Sequence, residues 1–501
     1  MGRPAAHPDP AEQAPLHKTS GAAGRNYALG TLNGVIGAVS MDFLHPELIL
    51  AGLVMALTGS YQLVALVSII NKAGALVPQL YVGSVLEHRE RKRPFFVGLI
   101  FIRLASVVAL LGAIRLMAGG AAGPLAAFYA AYLVWCLGGG AGHVIFLDMV
   151  GRLIPMGRVG SFFGIREFWG GILALVAGWL VIQPILDSNR AIVAQDRAAE
   201  VRPAGPAPAA PAAAAPAARV GRPAARVAAP LARRAVADNY FLLAAAGGAL
   251  SVLAMALLAL CREQPGPHAR RAATLLESLR RGVGWLRQDP DYRAYLWLRI
   301  AFRITYLALA FFIPYGVARL TYTAHPLGVV ALGGIMLAAI KASRVVSSVL
   351  WGRVVDRAGD RTCLVWTGVC FALGPVLMLG APHLPAAFAV RLPLTRVVLD
   401  LPLCVYLSAL MALGAAIQGS IIGGNRFLIA SAPPHRRITY VGFLNTVTSP
   451  LTLLPALAAV VAETFGVTVL FAAIAGGGVL HLFWALRLSP DRPTHAPAGN
   501  G

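Results

Sequence analysis

Lysine is nearly missing from this chain. Of 43 basic residues only Lys18, Lys72, Lys92 and Lys341 are lysines. Acidic residues are also scarce, 21 in all, and charged residues of both signs make up 13% of the 501 positions. That is about half the usual share for a soluble domain. Cysteine is sparse. Cys136, Cys261, Cys363, Cys370 and Cys404 all fall in or beside apolar runs and form no CxxC pair, which excludes a disulfide framework and leaves no metal site. No glycine-rich loop is followed by Lys-Ser/Thr, so no nucleotide site is read. No Ser-His-Asp or paired-carboxylate arrangement sits in a soluble domain. An enzyme, a cofactor and ATP-driven pumping are therefore not expected.

What fills the chain is apolar. Hydrophobic residues reach 57% and the mean hydropathy is +0.69. Apolar runs of about 20 residues recur along almost the whole length, the mark of a polytopic helical membrane protein. The formal charge of +22 does not indicate nucleic acid, because the arginines cluster in short loops between the runs. That is how cytoplasmic loops are marked.

Twelve spans are read, at 27–57, 60–83, 95–116, 124–149, 160–186 and 239–261, then 292–319, 326–351, 363–381, 403–424, 439–462 and 466–487. The fold class is all-α, with two six-helix bundles at 27–261 and 292–487 related by a pseudo-twofold axis. Residues 1–26 and 488–501 read as tails. No signal-peptide pattern precedes the first span. Positive loops at His88–Arg93, Arg152 with Arg158, 262–291, Arg353–Arg361 and His435–Arg437 share one side with both termini. The expectation is a multi-pass plasma (inner) membrane protein with cytoplasmic termini, acting as a monomer in the lipid bilayer.

Two segments stand apart. The Ala/Pro/Arg-rich stretch within 187–238 reads as a disordered outer loop. Residues 272–288 place Leu275, Leu276, Leu279, Val283 and Leu286 on one helical face, as a connector lying on the cytoplasmic membrane surface would.

The halves repeat in parallel. Pro46 corresponds to Pro314, Lys72 and Gly83 to Lys341 and Gly352, and Pro155, Arg158 and Gly164 to Pro433, Arg436 and Gly442. Each lysine lies 11 residues before its glycine. At ~1.5 Å per residue that is about 16 Å into the membrane, near the middle of a core about 30 Å thick. A charge at that depth is a functional-site hypothesis by default.

With this repeat, the turn Gly352-Arg-Val-Val-Asp356-Arg357-Ala-Gly359-Asp-Arg361 resembles the signature turn of the major facilitator superfamily. The first-half copy is degraded: Glu87 stands for the Asp, His88 for the first base and Glu90 for the second Gly. The resemblance implies a six-plus-six bundle rocking around a central site at the repeat interface. It implies a cytoplasmic gate at Gly83, Glu87, Arg89, Gly352, Asp356, Arg357 and Arg361. Nitrate-type antiporters of the superfamily are similar in placing matching basic residues on the second and eighth helices. Theirs are arginines, and their glycine-rich signature is missing here.

The substrate set read from the residues is Lys72, Lys341, Arg344, Asn71 and Gln418, contacting a small anionic solute. Asp42, His45 and Glu47 are the proton-coupling candidates. Counting from the outer turn near Thr58 puts Asp42 and Lys72 at similar depth, so Asp42, His45, Glu47, Asn71 and Lys72 are expected to cluster. A structural ion pair is the competing reading for Asp42 and Lys72. Asp148 and Glu167 are expected in the inner gate network, while Arg103 and Arg299 are read as snorkelling anchors. Glycine stripes in spans 1 and 4 are read as packing. The reading is a secondary transporter of a small anion with proton coupling or exchange. Alternatives are a drug or metabolite exporter of the same fold and a non-transporting assembly or pigment-delivery factor; a wet central pocket separates a transporter from a scaffold.

Overall fold

The computed structural model describes residues 20–119, 123–201, 230–263, 274–306, 309–320, 326–392 and 397–490. Lys18, the ends of both tails and the middle of the Ala/Pro/Arg stretch lie outside these. Nine helical runs among the described residues are long and apolar enough to cross a membrane. One of them, Ala331–His383, holds two spans, because Gly359 turns the chain at φ +83°. Two more are interrupted: span 7 is α11 (Pro290–Tyr306) with α12 (Leu309–Arg319), and span 11 is α15 (Arg437–Thr448) with α16 (Leu454–Phe465). Twelve spans result.

The others follow in order. Span 1 is α1 (Ser20–Phe43), a π-helical turn at Pro46–Leu50, and α2 (Ala51–Thr58). Span 2 is α3 (Tyr61–Leu76) with α4 (Pro78–Leu86), span 3 is α5 (Arg93–Met117) and span 4 is α6 (Gly123–Leu153). Span 5 joins α7 (Val159–Ala177) to α8 (Gln183–Val201), and span 6 is α9 (Pro230–Ala259). Spans 8 and 9 form α13 (Pro326–Gly380), span 10 is α14 (Leu401–Ser431) and span 12 is α17 (Val467–Leu486). A two-stranded antiparallel ribbon, β1 (Val390–Arg391) with β2 (Val398–Leu399), precedes span 10. Prolines near the helix starts, such as Pro94, Pro230, Pro290 and Pro402, fit positions whose N–H has no partner within the helix.

One expectation is corrected. The stretch 187–238 is helical at both ends, with α8 running to Val201 and α9 starting at Pro230. The residues from Asp187 to Val201 are rich in Ala and hold no proline. They keep the helix going to Val201. The connector forms α10 (Leu275–Gln288), started by a Thr274/Glu277 capping box. Gly282 packs on Phe443 and Trp285 on Tyr292 and Tyr440, while Leu275, Leu276 and Val283 stay exposed.

The end carrying the 87–92, 152–158, 353–361 and 433–437 turns is the basic end. There one hydrophobic core joins both halves, including Leu80, Phe162 and Phe163 with Val355, Tyr440 and Phe443. Toward the opposite end each half has its own core, one around Leu53, Phe128 and Tyr240, the other around Phe312, Tyr406 and Phe471. The halves thus meet at the basic end, and a cavity lies between them.

Candidate functional site

The cavity holds about 580 Å³ and is lined by spans 1, 3, 4, 5 and 6 of the first half and spans 8 and 10 of the second. Its charged lining is Arg103, Arg166, Lys341 and Arg344 against Asp42 and Glu167, with His143 beside them. Four cations face two carboxylates. Lys341 is exposed to the cavity and pairs with no carboxylate among the described residues. One helical turn on, Arg344 keeps its Nε buried and unpaired. Gln418 is 1% exposed and its Nε2 has no partner. Such groups lose hydrogen bonding unless water or a ligand supplies it.

The first-half cations are held by rings. Arg103 stacks 3.6 Å above Trp135 and donates from Nη2 to Ser251 Oγ at 3.1 Å. Gly138 and Gly139 make room for it, since a Cβ on either would lie 3.1 Å from the arginine. Arg166 lies 4.5 Å from the Phe146 ring centre and 5.2 Å from that of Phe162. Its side chain fills the space a Cβ on Gly34 would take. The stripes read as helix packing are thus in part seats for two arginines that sequence reasoning did not place in the cavity. A glycine pair facing an intramembrane arginine was the available signal.

The expected cluster around Asp42 does not assemble. Asp42 lines the cavity, whereas His45, Glu47, Asn71 and Lys72 are not in its lining. Lys72, partly exposed, pairs with exposed Glu47 at 3.6 Å, and Glu47 accepts from Ser68 Oγ at 3.3 Å. Asn71 Oδ1 meets Cys136 Sγ at 3.9 Å. The cause is Pro46, which cannot extend α1: the helix stops at Phe43 and restarts as a π-helical turn, so Asp42 and Glu47 lose a common helical phase. Lys341 sits on an unbroken helix and has no counterpart of Glu47.

Below the cavity the halves touch closely. Asp356 accepts from the backbone N–H groups of Gly160 and Ser161, each at 2.7 Å, and from the Ser161 hydroxyl. Glu87 Oε1 accepts from Thr439 N at 3.0 Å. Arg437 lies 3.8 Å from Asp148, which also pairs with Arg152 at 2.9 Å. Gln79 accepts from Asn445, and Asn445 Oδ1 accepts from Arg299 at 2.8 Å. Glycines allow the approach: a Cβ on Gly83 would meet Thr439 at 2.8 Å, and one on Gly352 would meet Gly160 O at 2.8 Å. Burial pushes the Glu87 carboxyl above its ordinary value. Of the other turn residues, Arg89 and Arg357 are exposed, and Arg361 donates to Leu486 O at 3.0 Å within its own half. Glu167, expected in this network, lines the cavity instead.

Two six-helix halves closed at one end over a central polar cavity make up the fold. Solved structures of major facilitator superfamily transporters superpose on the chain, and the fold is that of the superfamily. A bacterial homologue of the iron transporter ferroportin, in an outward-facing state, matches at TM-score 0.62 with 14% identity, covering 93% of this chain and 99% of that one. The E. coli fucose:proton symporter matches at 0.63 with 13% identity, over 92% and 98%. The human organic anion transporter matches at 0.57 with 14% identity, over 94% and 100%. No protein-family profile and no curated protein sequence matches the chain.

Proposed function

We propose that the chain is a secondary transporter that moves a small anionic solute through a plasma (inner) membrane by alternating access. The observation that carries this is the excess of cations in the cavity, with Lys341 paired to no carboxylate among the described residues. Charge at membrane depth is costly without a partner, and a bound anion is the partner the lining lacks. A cavity of about 580 Å³ falls in the range of small-molecule sites. Arg344, Arg166, Arg103 and Gln418 join Lys341 as substrate contacts. Lys72, paired with Glu47, is assigned a structural role. Asp42 and Glu167 are the carboxylates of the lining and offset two of its four cations. With the basic end in the cytoplasm, the contacts of Glu87 and Asp356 form the closed inner gate, and the cavity serves the outer face.

The test is a thermal-shift screen of purified protein against organic and inorganic anions, followed by uptake into proteoliposomes. An anion should raise the melting temperature, and Lys341→Ala should lower its affinity at least tenfold with expression unchanged. Wild-type affinity and uptake in that variant would remove the support for anion binding.

A further inference from the structure

Resting on the anion reading, we infer that the cargo is a small dianion with its two charges at opposite ends, of the dicarboxylate class, moved by exchange for another dianion. The first step is charge balance. With His143 neutral, the lining of Arg103, Arg166, Lys341, Arg344, Asp42 and Glu167 carries a net charge of +2. The Lys72–Glu47 pair lies outside that lining and is neutral as a pair. A monoanion leaves one cation uncompensated when the site closes, whereas a dianion brings the occluded cavity to zero. Uncompensated charge in a water-poor interior is strongly unfavourable.

The second step is placement. Lys341 and Arg344 come from span 8 of the second half, Arg103 and Arg166 from spans 3 and 5 of the first. Each half brings two cations, and the two pairs differ in kind. Arg103 and Arg166 are fixed over Trp135 and Phe146. No ring lies under Lys341 or Arg344 among the described residues. A ligand with one charged group at each end engages both halves together and draws them shut around itself.

Exchange follows from the same balance. The empty cavity keeps its +2 and resists occlusion, so the carrier turns over only when loaded. Protonation of Asp42 or Glu167 raises the positive charge further, so a proton does not substitute for the anion in returning the carrier.

The experiment uses the full chain in proteoliposomes with succinate, butyrate and glycerol 3-phosphate as probes. Labelled succinate should enter vesicles preloaded with succinate at least ~10-fold faster than vesicles loaded with chloride. Succinate should bind at least ~10-fold more tightly than butyrate, a difference worth about 1.4 kcal/mol. Arg166→Gln and Lys341→Gln, one from each wall, should each erase most of that preference, and Lys341→Arg should keep it. Melting temperature and size-exclusion profile show that each variant is folded. Butyrate binding as tightly as succinate would overturn the two-charge inference and leave the anion reading standing. Binding of glycerol 3-phosphate without succinate would place the charge at one end and overturn it too. Equal uptake into chloride-loaded vesicles would remove the exchange. No binding of any anion would take down the anion reading with it.

Discussion

At the scale of single residues, the rarity of lysine is informative in a way that depends on each lysine's surroundings. Lys341, Lys72 and Lys92 are chemically alike and do three different things. Lys341 faces the cavity, and Lys72 is tied to Glu47. Lys92, 2% exposed, donates to Leu86 O and, at 2.6 Å, to Arg89 O, closing the turn between spans 2 and 3. Depth along the sequence made Lys72 and Lys341 equivalent. Depth says nothing about azimuth, and Pro46 changes the azimuth of the residues that decide Lys72's partner. Arg103 and Arg166 were hidden for the converse reason, since the glycines that seat them lie on other helices. Burial pulls the Lys92 ammonium down to about 8 from 10.5. A base whose value is depressed by folding favours the fold most where it is neutral in both states, above 10.5, and loses that contribution as pH falls through 8. Wild-type protein should therefore gain melting temperature over Lys92→Arg, which stays charged, as pH rises from about 7.5 to about 10. Tryptophan-fluorescence melts in detergent measure the difference, and a difference that does not change with pH would contradict the assignment.

At the scale of helices, the breaks carry the mechanism. The spans themselves were legible from apolar length, and the parallel repeat from the recurrence of Gly83 as Gly352 and of Gly164 as Gly442. These four glycines all lie on the contact between the halves. The sequence alone could not show that Gly352 packs on Gly160, because nothing in either helix names its partner across the bundle. That contact makes a sharp prediction. A Cβ on Gly352 would lie 2.8 Å from Gly160 O and 3.2 Å from Ser161 Cα, so Gly352→Val wedges spans 5 and 8 apart. Only the state closed at the basic end holds this contact, so strain there shifts the population away from it, about tenfold for each 1.4 kcal/mol. Thiol labelling of an introduced Ser161→Cys, above the background of native thiols, should rise accordingly. Unchanged labelling would show that the contact does not gate the path.

At the scale of the whole molecule, the distribution of cores separates what keeps each half folded from what holds the halves together. Phe128 belongs to the core of the first half alone. Phe443 belongs to the core shared by both halves, where it packs against Gly282 of the connector and Tyr292 of span 7. Removing a buried phenylalanine side chain costs about 3–5 kcal/mol by lost contacts and the cavity left behind. The two losses should be similar in size and different in consequence. Phe128→Ala should lower the melting temperature and leave labelling at Ser161→Cys where it was, because neither state of the transport cycle gains or loses that core. Phe443→Ala should lower the melting temperature and raise the labelling, because the state closed at the basic end depends on the shared core and the alternative state does not. The dianion proposed as cargo should stabilise both variants, by an amount that grows with the logarithm of its concentration over its dissociation constant. It restores protection only in the second. Equal labelling in the two variants would mean that the shared core is a permanent joint, and that the proposed alternating access pivots elsewhere.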